Sequence, residues 1–176
     1  MKKIRHLIFL SVLVYTGMLF SGCEKQESKS DLFPLNVGNE FYYNYSKRDM
    51  IASTQGAETW KVISETTQGE TIKYIIERNL NAILTIGVNR TTISDSKTYL
   101  EVTEDKSTAK ITIWDFQFNR YQTIPQIELK KEGYTSMPTI TCVFKADSGM
   151  TMYTYHHPPN QISDIILSLD SLKTIQ

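Results

Sequence analysis

Few side chains in this chain have the type and spacing that catalysis or metal binding requires. His156 and His157 are adjacent, and neighbours on a strand point to opposite faces, so the two cannot share one metal ion in a regular strand. No spaced Cys/His/Glu cluster supplies the further ligands of a zinc site, and no metal or other cofactor is expected. Cys142 alternates with Ile140 and Phe144 and reads as a buried apolar residue, because no base or helix N-terminus accompanies it to lower its pKa. The chain contains no G-x-S-x-G, no P-loop and no Gly-rich dinucleotide turn. A glycosidase needs two carboxylates at a set separation across a cleft. The acids at Glu104-Asp105 and at Glu132 fall at connections, where charges are normally solvated. No catalytic residue is assigned, and the chain is read as a non-enzyme.

The aromatic residues are what points to binding. They fall on expected strands or strand ends, and Trp60, Tyr74, Trp114, Phe116, Tyr153 and Tyr155 form the candidate ligand-facing set. On the concave face of a curved sheet such rings would hold an apolar or glycan ligand. The competing reading is that they complete the core. Tyr42 and Tyr43 are adjacent, so at least one of these rings leaves the main core face.

The elements that must position these rings are strands. From Cys23 onward, Thr, Ile, Tyr and Val supply 50 of 154 residues, and Ala and Leu only 14. Side chains that are aromatic or branched at Cβ suit a pleated surface and lose rotamer freedom in a helix. Phe41, Tyr43 and Tyr45 alternate with polar or outward residues, as do Trp60 with Val62, and Ile72 with Tyr74 and Ile76. Thr67-Gln68-Gly69-Glu70 supplies a turn, so 58–78 reads as a hairpin. Further strands are expected at 82–88, 99–102, 110–118, 127–129, 140–144 and 150–157. This gives a mainly β domain: one antiparallel, curved sheet or half-barrel of about eight or nine strands, without βαβ spacing. Residues 162–172 fit either one face of a helix or a final strand.

The amino terminus reads as an address. Lys2, Lys3 and Arg5 precede an uncharged, largely apolar run from Leu7 to Gly22, a signal-peptide pattern too short for a comfortable membrane span. Removing those three basic residues leaves 16 against 19 acidic, a formal charge of −3, which argues against a nucleic-acid partner. Leu19-Phe20-Ser21-Gly22-Cys23 resembles the bacterial lipobox, with Phe20 where Leu is usual. That resemblance implies cleavage after Gly22 and acylation of Cys23. Glu24 to Asp31 contains no apolar residue and reads as a polar tether. The expected organisation is a signal peptide at 1–22, a lipidated Cys23 and tether at 23–31, and a single β-rich domain at 32–176.

Leu32-Phe33-Pro34-Leu35-Asn36-Val37-Gly38-Asn39-Glu40-Phe41-Tyr42-Tyr43 resembles the FPL-x-VGN-x-W-x-Y opening of uncharacterised bacterial lipoproteins, mainly from Bacteroidetes, with Phe41 in place of Trp. Ser148-Gly149-Met150-Thr151-Met152-Tyr153-Thr154-Tyr155 resembles a glycine-led late strand of the same group. The resemblance implies an outer-membrane or surface lipoprotein with a curved sheet, and a strand for 162–172. It implies no catalytic residues. The physical reading of the opening is structural: Pro34 fixes an extended entry, and Gly38-Asn39 tolerates a tight turn. The leading functional expectation is a membrane-tethered, non-catalytic binding or interaction module with an apolar, glycan or envelope-protein partner. A carrier or chaperone for lipids or lipoproteins is second, and an envelope hydrolase third.

Overall fold

The computed structural model describes residues 29–134, 136–158 and 163–175. The expected leader, Cys23 and most of the tether lie outside the described residues. The described residues form strands and no helix: β1 (Ser30–Asp31), β2 (Glu40–Asp49), β3 (Ala52–Gln68), β4 (Thr71–Ile86), β5 (Asn89–Asp105), β6 (Lys110–Ile113), β7 (Phe116–Asn119), β8 (Tyr121–Gln122), β9 (Gln126–Lys131), β10 (Thr139–Lys145), β11 (Gly149–His156) and β12 (Ser163–Lys173). Ten of them make one antiparallel sheet in the order β7-β6-β5-β4-β3-β2-β12-β11-β10-β9. It curls into a nearly closed, barrel-like sheet, and β1 and β8 form a separate two-stranded ribbon.

Period-2 alternation explains the barrel. One phase of each strand turns inward: Phe41 and Tyr43 on β2, Trp60 and Val62 on β3, Tyr74 and Ile76 on β4, Leu100 and Val102 on β5. Register shifts at Val62/Ser64, Leu80/Ala82, Val143/Phe144 and Leu169/Ser171 bend the strands, as bulges do. The two sheet edges then approach each other, with Phe118 on Phe144 (4.4 Å between centroids) and Lys131 paired to Asp115 (3.5 Å).

The lower end, where β2 begins, is plugged by residues 32–39. Leu32, Phe33 and Leu35 are buried, and Phe33 packs on Phe41 and Phe144. The Asn36–Asn39 turn fastens the plug. Gly38 sits at φ 96° and donates to Val62 O, while Val62 N donates to Asn39 O. The buried Asn39 side chain donates to Pro34 O (2.8 Å) and accepts from Ile175 N (3.0 Å). The V-G-N triplet is therefore a clamp holding the plug to β3 and to the chain end. A Cβ on Gly38 would run into the Ile175 side chain.

Several boundaries differ from the sequence expectation. Residues 71–88 read as two strands because Asn79 and Asn81 interrupt the apolar pattern, yet β4 continues through them with one register shift. Lys110 to Phe118 is two strands, folded back at Trp114-Asp115. Residues 163–173 form a strand between β2 and β11, with Leu167 buried. Ser30 and Asp31, placed at the end of the tether, form β1 against β8.

Candidate functional site

Three of the expected ligand-facing rings meet inside the barrel. Trp60 on β3 contacts Trp114 edge-on (5.6 Å), and Trp114 contacts Tyr153 on β11 (4.7 Å). Trp114 does not lie on a strand. It is the first residue of the two-residue turn between β6 and β7, with Asp115 the second, and Ile113 pairs with Phe116 across it. Their φ angles are 45° and 69°. Such hairpin turns ordinarily recruit Asn and Gly, which tolerate positive φ. A tryptophan held there is strained, and strain of this kind persists only where its surroundings over-determine it. Here Trp60 and Tyr153 grip the indole inside the barrel.

Tyr74 is elsewhere, low in the barrel and 3% exposed, and its hydroxyl donates to Glu104 (3.0 Å). Phe116 packs against the core, and Tyr155 stacks edge-on with His157 (5.2 Å). Trp60 is fully buried. The two deepest candidates are thus core residues, and Trp114 with Tyr153 continues that packing upward. His156 and His157 part as strand geometry requires: His156 Nδ1 pairs with Asp164 (2.5 Å), while His157 turns to Tyr155.

Above the Trp60 ring lies an arrangement that the sequence reading did not single out. Glu58, two residues before Trp60 and on the same inner phase of β3, is 3% exposed. Its Oε1 accepts from Trp60 Nε1 (2.8 Å) and from Arg78 Nε (2.5 Å). Arg78 continues the inward phase of Tyr74 and Ile76 on β4, and its guanidinium lies over the Trp60 ring at 5.1 Å. Only its Nε is engaged by the hydrogen bonds among the described residues. Arg78 opens into a depression of about 170 Å³ lined by Tyr45, Glu58, Leu80, Ser96 and Thr98. Burial, and next Glu58, raise the Tyr45 phenol above its ordinary range, so it stays a hydroxyl donor in the cup wall. The cup thus offers guanidinium donors, hydroxyls and an apolar floor. The missed signal was two charges on the inward phase of otherwise apolar strands.

A second ionic cluster sits at the lower end. Arg120 is 5% exposed; its Nε and Nη2 bond Asp31, and its Nη1 bonds Glu104 (2.7 Å) and Tyr74 Oη (3.0 Å). Glu104, expected in a solvated connection, is buried at the end of β5. Burial opposes the Arg120 charge, but the bonds to Asp31 and Glu104 outweigh it and raise its pKa. Burial also pushes the Tyr74 hydroxyl up to about 12. Cys142 is fully buried, and burial pushes its thiol up to about 12, which suits an apolar core residue and not a nucleophile.

No family model matches the chain, and no curated protein matches it. Among solved structures, it is similar to a "putative lipoprotein" from Parabacteroides distasonis, at 9% identity and a TM-score of 0.31. The similarity covers 82% of this chain and 99% of that one.

Proposed function

We propose that this protein is a lipid-anchored cell-envelope binding module whose site is the Glu58–Arg78 cup, and that the cup takes a small hydroxylated ring such as a sugar. The anchor rests on the leader and on the lipobox-like ending at Cys23, and an outer-membrane address rests on the resemblance of the FPL-x-VGN opening. The cup carries the binding reading by one observation: a buried carboxylate is paired to an arginine that spends only one of its donor groups on the described protein. Withdrawing the Glu58 carboxylate from water costs several kcal/mol, and an apolar residue in its place would often be as stable. A charge pair kept at the wall of an open depression is accounted for by a ligand. Sugars match the cup because they present hydroxyls to Ser96, Thr98 and Arg78 and C–H faces to Leu80 and the Tyr45 ring. Arg78 favours acidic sugars through charge-assisted bonds.

Two of the six candidate rings give the carrier reading no support. Its candidate rings Trp60 and Tyr74 are packed at 0% and 3% exposure and do not line a space for an acyl chain.

The test is intrinsic fluorescence. The chain has only two tryptophans: Trp60, bonded to Glu58 and covered by the Arg78 guanidinium, and Trp114 against it. Titration with glucuronate and galacturonate is expected to shift their emission, and the neutral parent sugars to act more weakly. Ser96→Phe, an exposed position on β5, should fill the cup and abolish the response without touching the ion pair. A response that survives Ser96→Phe, or none to any sugar, contradicts the reading.

A further inference from the structure

We propose that the upper end of the barrel is a membrane-contact tip, which docks onto an anionic bilayer facing the one that holds the anchor. The second bilayer rests on the anchor reading above; the tip rests on its own observations. Two neighbouring turns carry apolar side chains that the fold does not use. Between β2 and β3, Met50 and Ile51 are 74% and 77% exposed; at the turn between β4 and β5, Ile86 and Val88 are 46% and 96% exposed. Ala52 pairs with Ile86, so the two turns lie side by side.

The number and placement of these residues favour a bilayer over a protein. A stable protein interface takes roughly 20–30 residues a side. Insertion into a headgroup boundary needs only a few apolar side chains ringed by cations. The cations are present and outnumber the acids beside them, Lys47, Arg48 and Arg90 against Asp49 and Asp164. Lys47, Arg48 and Arg90 flank the turns, and within 47–53 and 85–91 the single acid is Asp49, paired to Lys47 (3.1 Å). Asp164, opposite Arg48 in the ladder, is bonded instead to His156. Arg48 and Arg90 are exposed.

Polarity of the fold gives the direction. β1, where the described chain begins, is at the lower end beside Asp147 and Arg120. β2 rises from there through ten residues to the tip, roughly 30 Å. The chain between Cys23 and Ser30 reaches at most roughly 25 Å. The tip therefore points away from the tethered surface.

The test uses the lipidated protein, purified and inserted into phosphatidylcholine donor vesicles. Acceptor vesicles are phosphatidylcholine alone or mixed with phosphatidylglycerol, and clustering is followed by light scattering. Clustering is expected with the anionic acceptor only, and to weaken with added salt. Ile51→Asp/Val88→Asp should reduce it about tenfold or more, since both side chains lie outside the core. Ser96→Phe should leave it unchanged. Failure to enter donor vesicles contradicts the anchor; the tip is then tested by flotation of the Cys23→Ser chain with anionic vesicles, which the double variant should abolish. Anchored protein that does not cluster, equal clustering by the double variant, or clustering of donors without acceptor overturns the tip.

Discussion

The barrel holds two clusters built on an arginine, a buried glutamate and an aromatic ring, one at its lower end and one midway up β3 and β4. In the lower cluster all three nitrogens of Arg120 are engaged: Asp31 takes Nε and Nη2, and Glu104 and Tyr74 take Nη1. In the upper cluster Arg78 gives Nε to Glu58 and faces an open depression. The lower cluster joins segments far apart in the chain, β1, the ends of β4 and β5, and the residue before β8, and closes the fold. The upper cluster joins neighbouring strands that already share a ladder, so little topology depends on it. An arginine–glutamate pair serves as a lock where every nitrogen of the arginine is engaged, and as a site where two are left over.

Breaking the lock should have the largest effect. Arg120→Met leaves Asp31 and Glu104 without their cation and should cost about 3–5 kcal/mol in urea denaturation. Next comes alkali. Burial pushes Tyr74 and Tyr153 from the ordinary 10.0 to about 12, and Cys142 from 9.0 to about 12. These groups ionise in the unfolded chain first, so stability is full below pH 9 and falls as pH rises from 9 to 12. Thermal midpoints across that range should decline, and a flat profile would contradict the burial. Breaking the site should matter less for folding: Glu58→Gln/Arg78→Met should cost about 1–2 kcal/mol, below the Arg120 loss, while abolishing the sugar response. Smallest of all is Tyr43→Phe. Tyr43 is fully buried and its hydroxyl has no partner among the described residues. Its removal should leave stability within about 1 kcal/mol of wild type or raise it.

The strand class was legible in the excess of Thr, Ile, Tyr and Val, and the inner face in the alternation around Trp60 and Tyr74. Where polar residues interrupt a strand, as at Asn79 and Asn81, pairing with both neighbours overrode the local pattern. Trp114 was misplaced on a strand because no Gly or Asn marks its turn; the contacts with Trp60 and Tyr153 hold it there, and these are remote in sequence. The partners of Arg120 span up to 89 residues of chain, beyond the reach of any periodicity. Glu58 and Arg78 were within reach: each continues an inward-facing phase, and a charge on that phase is the signal.

The central claim is that both terminal nitrogens of Arg78 are left to give, while Arg120 has all three of its nitrogens engaged. Side-chain NMR of the two guanidinium groups tests it directly, with assignments from Arg78→Lys and Arg120→Lys. The account predicts sharp, slowly exchanging Nη signals for Arg120 that ignore added glucuronate. It predicts fast-exchanging Nη protons for Arg78, which shift on the same titration. Slow exchange at both arginines, with neither moved by any acidic sugar, would contradict it.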